Sequence, residues 1–310
     1  MKKEPSILVL CGAISPEREV SLRSGAACAS ALAESELDVE LHELAANALP
    51  GYLDPAAHVI FPVIHGDYGE DGAIQAELEL GGFSFAGCGA AASRLCIDKV
   101  RTKRALREAG LPVAAEVAFA AEGKPAAREL LERLGAEEIV IKPADKGSSV
   151  GLHLVCGAEE TAAALAQVDS GNWMAEPRLR GREMTIGILG GEPMGIVEIV
   201  PRTGVYDYQN KYTAGATEYL FPAEVAEPVA ERVQEAARRA FAVCGCRDFS
   251  RLDFILQPDG QFHFLEINTM PGMTATSLFP KSASCRGLNF PTLVRLMISP
   301  ALQRYHASHS

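Results

Sequence analysis

The chain has 310 residues and carries 29 Lys and Arg against 40 Asp and Glu, a formal net charge of −11. At 48% hydrophobic and 22% charged it has an ordinary globular composition, which excludes a disordered or collagen-like chain. So acidic a chain lacks the positive field that general binding to nucleic acid or an anionic membrane needs, yet a local basic pocket can still hold an anionic small substrate.

Length alone predicts about two domains. Residues 6–10 are a short apolar run suited to a strand buried on both faces. Lys2 and Lys3 before it mimic the front of a signal peptide, but Glu4 and Pro5 interrupt the charges and no small-residue cleavage site follows. Ser15-Pro16 predicts an N-cap and first helical residue, with the helix running to about residue 34. Strands over 39–44 and 59–64 follow, then a loop over 65–72 and a helix to Leu80 that Gly81-Gly82 ends. This alternation predicts a mostly parallel sheet. A single basic helix over 90–109 stops at Gly110-Leu111-Pro112. Beyond it, strands over 138–142, 150–155, near Met174, and over 185–189 and 195–200 have short connections, which predicts antiparallel pairing. A helix over 228–243, a hairpin and a last helix near Leu293 complete the chain. An α/β start is thus followed by an α+β remainder, with boundaries near 95–110 and near 180–182. No stretch has the ~18 apolar residues of a membrane span. The eight cysteines contain no Cys-x-x-Cys, and Cys244 and Cys246 lack a partner cluster at zinc spacing, so reduced thiols of a cytosolic protein are expected.

The most informative segment is 250–268. Two strand-like runs flank Pro258-Asp259-Gly260, and an Asp-Gly two-residue turn would set Asp253 opposite Glu266 and Arg251 opposite Asn268, all on one face. Opposed carboxylates repel. They become sensible around a cation, and an all-oxygen set of Asp253, Glu266 and Asn268 suits magnesium or manganese better than zinc. The bland alternative is a solvated salt-bridge face in which Arg251 neutralises both acids.

Gly147-Ser148-Ser149-Val150-Gly151 matches a nucleophile-elbow pattern, but alternating Val150, Leu152 and Leu154 follow it where a helix is required. With Lys142 before it and Lys146 beside it, the loop suits phosphate binding, or else a plain flexible hairpin. Gly87-Cys88-Gly89 is a weak dinucleotide fingerprint, with no acid-ended strand about twenty residues on.

Several segments then form an ordered set: 15–21 (SPEREVS), 65–72 (HGDYGEDG), Asp98-Lys99, Lys142-Pro143, 147–151, Tyr206-Asp207-Tyr208, Lys211-Tyr212, Arg251-Leu252-Asp253 and 266–274 (EINTMPGMT). Together they resemble the D-alanine–D-alanine ligases of the ATP-grasp superfamily, over residues 7 to about 298. The resemblance implies an α/β N-terminal domain (1–97) followed by α+β ATP-grasp central (98–181) and C-terminal (182–310) domains, the last carrying a metal site and a lid loop. It implies that ATP phosphorylates the carboxylate of one D-alanine and that the amine of a second attacks the acyl phosphate, for peptidoglycan precursors. It also implies a cytoplasmic homodimer.

By the same resemblance Asp253, Glu266 and Asn268 hold two Mg2+ or Mn2+ ions. Lys99, Lys142 and Lys211 neutralise the ATP phosphates, and Ser148 with its loop closes over them. Glu176, Leu179 and Glu183 are the adenine and ribose contacts, although Pro177 stands where many relatives carry Lys. Cys11-Gly12 departs from a common Gly pair. Arg251 stabilises charge on the acyl phosphate, with a backbone N–H at Gly272. Glu17 meets the first ammonium, His65 contacts the first substrate, and Ser277 and Leu278 line the second-substrate site. Tyr212 closes with the lid over 201–217. Ser21 is either a site residue or a helix-surface hydroxyl, Glu17 taken alone is a good helix start, and Tyr208 and Tyr212 taken alone are packing aromatics. A D-Ala–D-Ser or D-Ala–D-lactate ligase is the alternative; lactate-forming relatives typically lack the Lys211-Tyr212 pair kept here. A silent nucleotide-binding module would have no reason to keep the opposed acids.

Overall fold

The computed structural model of the protein describes residues 4–35, 37–147, 151–202 and 215–310, and the strands among them form three sheets. The first is parallel, in the order β2-β1-β3-β4, from Ser6–Gly12 (β1), Val39–Leu44 (β2), His58–Pro62 (β3) and Ser84–Phe85 (β4). Alternation along β1 sends Ile7 and Val9 into one apolar core and Leu8 and Leu10 into another, so both faces are covered. The helix Arg18–Ala33 and, from the far end of the chain, the helix Phe290–Ser308 build the first core. The helix Ala73–Leu80 builds the second.

Two helix starts differ from expectation. Glu17 is the N-cap and the first long helix begins at Arg18, while the Ser15 hydroxyl accepts from the Glu17 amide at 2.9 Å, so Ser15 caps a turn ahead of the helix. The basic segment expected as one helix is two, Ala90–Ile97 and Lys99–Glu108. Asp98 between them is extended, and its carboxylate accepts from the Arg101 amide at 3.0 Å. A side chain that satisfies an otherwise orphaned amide thus overrides an uninterrupted helical periodicity.

The second sheet is antiparallel, β5-β8-β6-β7, from Val117–Ala120 (β5), Glu138–Pro143 (β6), His153–Cys156 (β7) and Asn172–Pro177 (β8). Helices Ala127–Leu134 and Gly157–Ala166, which the sequence reading did not include, cover the face carrying Ile139, Ile141 and Ala175. The register pairs Val140 with Glu176 and Lys142 with Met174, so Lys142 and Glu176 share the other face.

The third sheet is antiparallel, β11-β10-β9-β12-β13, from Arg182–Leu189 (β9), Glu192–Pro201 (β10), Thr217–Leu220 (β11), Phe249–Leu256 (β12) and Phe262–Asn268 (β13). Helices Glu227–Val243 and Lys99–Glu108 bury one face of it. Its hairpin does not turn on two residues. Pro258, Asp259 and Gly260 form the loop, closed by Gln257 N–H to Gln261 O at 2.8 Å, with Gly260 at φ +81°. That loop slips the pairing by one, so Ile255 faces His263; a bulge next to Asp253 slips it back. Asp253 therefore does pair with Glu266, and Arg251 with Asn268.

Asp248, at φ +59° before β12, ties these units together. Its carboxylate takes two bonds from Arg304 of the last helix, at 2.9 and 2.6 Å, and one from the Gly87 amide at 2.9 Å. Gly87-Cys88-Gly89 is accordingly a packing turn. The cysteines at 244 and 246 also meet distant partners: Cys96 Sγ lies 3.8 Å from Cys246 Sγ, and all eight thiols are free. Among the described residues no helix is long and apolar enough to cross a membrane. Asp248→Ala strands the half-buried Arg304 and the Gly87 amide, and a loss of about 3 kcal/mol is expected in urea denaturation; an unchanged midpoint would contradict the tie.

Candidate active site

Two hollows meet beside the third sheet, on the face opposite the helices Glu227–Val243 and Lys99–Glu108. The smaller, about 160 Å³, lies between the second and third sheets and is lined by Lys142, Glu176, Leu179, Glu183, Asp253 and Leu265. The larger, about 730 Å³, is lined by Glu17, His65, Arg251, Asn268, Gly272, Ser277 and Leu278. Lys99 and Glu266 line both. The sequence-expected groups thus fall into two sets that share one cation and one anion. Ser148, Lys211 and Tyr212, with Tyr206 and Tyr208, lie outside the described residues.

Of the opposed acids Asp253 is buried, while the Glu266 side chain is 23% exposed. Arg251 forks onto Asp253, Nε to Oδ1 at 2.9 Å and Nη2 to Oδ2 at 2.8 Å, with the two side chains 11% and 9% exposed. Thr185 Oγ1 donates to Asp253 Oδ1 at 2.5 Å. Glu266 Oε2 has Lys99 Nζ at 3.4 Å, and that ammonium also donates to Lys146 O at 2.6 Å. Asn268 Oδ1 accepts from the Met270 amide at 2.9 Å, which fixes the amide with its oxygen end set by the turn. Arg251 thus forks onto Asp253, and Lys99 approaches Glu266. Among the described residues no group of three or more His, Cys, Asp or Glu is arranged to hold a metal. The set here differs in kind, two carboxylates and an amide.

On the second sheet, Glu176 is held between two lysines. Lys142 Nζ donates to Oε1 at 2.5 Å, and Lys103 Nζ makes a very short contact with Oε2. Burial pushes the Glu176 carboxyl up, but Lys142 and Lys103 together outweigh it and hold it at about 2. Burial in turn lowers the Lys103 ammonium, against the pull of Glu176. Pro177, Arg178 and Leu179 line the same cleft, and Arg178 reaches Glu138 at 3.5 Å.

The first unit supplies the wall of the larger cavity. His65 Nε2 lies 3.2 Å from Ser24 Oγ and Nδ1 lies 3.5 Å from Glu70 Oε1. Burial pushes the Glu70 carboxyl up; its bond with His65 works against that, and the nearby Glu17 charge works with it. Ser24 Oγ also accepts from the Met273 amide at 3.2 Å, which docks the Gly272 turn on the first helix. Ser277 Oγ accepts from the Thr274 amide at 3.0 Å. Ser21 proves structural: fully buried, it donates to Val63 O at 2.6 Å and accepts from the Gly12 amide at 2.9 Å. The Cys11-Gly12 departure leaves this corner intact.

Three groups at the site were not singled out from sequence. Lys103 stands one helical turn after Lys99, and that i, i+4 spacing was the available signal. Glu70 sits inside the 65–72 segment. Lys281 lines the larger cavity, 4.8 Å from the Tyr219 ring, and burial lowers its ammonium to about 8.

Comparison with known proteins agrees with this geometry. Residues 105–299 match the family model described as D-ala D-ala ligase C-terminus. The D-alanine–D-alanine ligase of Anaeromyxobacter dehalogenans (strain 2CP-C) is 42% identical over 302 residues, covering 96% of this chain and 97% of that protein. The solved D-alanine–D-alanine ligase of Bacillus anthracis complexed with ATP superposes with a TM-score of 0.85 at 26% identity, over 98% of this chain and 99% of the other. The VanG D-Ala:D-Ser ligase of Enterococcus faecalis gives 0.84 at 28% identity, over 96% and 100%. The fold is that of an ATP-grasp enzyme. The chain belongs to the D-alanine–D-alanine ligase family.

The depressed Glu176 carboxyl gives a pH prediction. Its contribution to stability is complete above its ordinary value of 4.5 and fades as pH falls toward about 2. Glu176→Gln should cost about 3 kcal/mol at neutral pH by stranding two ammonium groups. In urea melts the gap from wild type should narrow as pH drops from 4.5 toward 2; a gap independent of pH would contradict the ion triad.

Proposed function

We propose that the protein joins two D-alanines at the expense of ATP, through a D-alanyl phosphate, to make D-alanyl-D-alanine for peptidoglycan. The observation that carries this reading is the junction of the smaller cleft and the larger cavity at Lys99 and Glu266, with Arg251 beside them. A phosphoryl group passed from one hollow to the other must cross that junction.

In this reading Glu176, Leu179 and Glu183 take the nucleoside, and Lys99 and Lys142, with Lys211, neutralise the phosphates. The first D-alanine lies with its ammonium toward Glu17 and its carboxylate toward Arg251. One carboxylate oxygen attacks the γ-phosphorus, the bond to the β-phosphate oxygen breaks, and ADP leaves. The amine of the second D-alanine, seated at Ser277 and Leu278, then attacks the acyl carbon. The carbon–oxygen bond to phosphate breaks, the amine loses a proton, and inorganic phosphate leaves. Arg251 and the Gly272 amide balance negative charge on the reacting oxygens, the electrostatic stabilisation that phosphoryl and acyl transfer require. Ser148 and the lid with Tyr212 exclude water from an easily hydrolysed acyl phosphate.

Asp253, Glu266 and Asn268 fit two Mg2+ or Mn2+ ions, because they offer hard oxygen donors on one face and their repulsion calls for positive charge between them. Bound there, divalent ions would draw charge from the phosphate oxygens. Three functional units, at 1–97, 98–181 and 182–310, belong to the same reading, as do a cytoplasmic homodimer and the absence of a nucleic-acid partner. Lys211-Tyr212 favours D-alanine over D-serine or D-lactate as second substrate.

Mass spectrometry of products from D-alanine, D-serine and D-lactate mixtures tests the substrate; D-alanyl-D-alanine should dominate, and a dominant depsipeptide would overturn it. Glu266→Gln should cut D-alanine-dependent ADP release at least about 100-fold, whereas unchanged turnover would remove the metal assignment.

A further inference from the structure

Glu176 is 3% exposed and carries two ammonium partners, yet the two lysines are not equivalent. Lys142 lines the smaller cleft, whereas Lys103 is 1% exposed, comes from the helix Lys99–Glu108 and does not line it. Under the proposed function, on which this inference rests, Lys142 must serve Glu176 in the free protein and phosphate in the nucleotide complex. If Lys142 were the sole counter-ion, each binding event would leave a buried carboxylate without its charge partner, a cost of several kcal/mol set against nucleotide affinity. An ammonium that stays behind removes that conflict.

We propose that Lys103 is a positioning residue for nucleotide binding: it remains on Glu176, keeping the carboxylate charged and oriented toward the base, so that Lys142 is free to exchange between Glu176 and phosphate. The asymmetry of access supports the division. Lys103 faces Glu176, Lys142, Glu116 and His263, and Glu116 is already engaged by Arg107, so Glu176 is its direct anionic contact. Lys103 touches no substrate in this arrangement; it acts through Glu176.

The experiment is a double-mutant cycle on the full chain, with Mg-ATP binding measured by calorimetry and turnover measured separately. Lys103→Met should raise the Kd and KM for ATP at least about tenfold, roughly 1.4 kcal/mol, while kcat at saturating ATP changes less than about threefold. In the Glu176→Gln background, where no carboxylate needs a partner, Lys103→Met should change the Kd by less than about threefold. The double variant contains no buried carboxylate at this site and serves as the control if the single variant folds poorly. Equal losses in both backgrounds would overturn the proposal, as would a lowered melting temperature with unchanged ATP affinity. Wild-type protein that binds no Mg-ATP would overturn the proposed function together with this inference. Wild-type binding with no loss in Lys103→Met would overturn this inference alone.

Discussion

Asp253 and Glu266 face one another across adjacent strands, and like charges at that distance repel. Most of the site can be read as an answer to that repulsion. Arg251 is forked onto one acid and Lys99 leans on the other. Because Arg251 and Lys99 approach different acids, positive charge from outside the chain would add to theirs rather than replace either. Both cations also line the larger cavity, so the charges that keep the hairpin folded are the charges a phosphorylated substrate would meet.

A second ion group, Glu176 between Lys142 and Lys103, follows the same logic at the other wall of the cleft. The acidic total of the chain therefore says little about its working surface. Locally, lysines and an arginine outnumber the carboxylates they contact, and burial strengthens each attraction. The −11 total is compatible with an anionic ligand at the site.

The parts of the fold legible in the sequence are those set by periodicity. The apolar run at the start of the chain, the parallel alternation after it and the antiparallel strands beyond residue 138 all follow from spacing. The facing of Asp253 and Glu266 was also legible, although for an incomplete reason: a three-residue loop and a bulge cancel, where a two-residue turn alone was expected. What stayed hidden depends on contacts far apart in sequence. Ser21 reads as an amphipathic-helix hydroxyl until Val63 is seen to accept from it, and Lys103 reads as one more surface base until Glu176 is found 73 positions away. Asp98 ends one helix and caps the next, a side-chain bond to an amide that hydrophobic pattern does not register.

That break at Asp98 has an electrostatic meaning. By ending one helix and starting another, it places Lys99 on the first residue of a helix rather than in its middle. A helix start is the positive end of the helix dipole, so a lysine there is held against it. The ammonium of that lysine lies beside Glu266, where the two hollows join. The Asp98 carboxylate on the Arg101 amide offsets the misfit at the helix start, so an anion arriving at the junction meets a lysine whose strain its own helix has already eased.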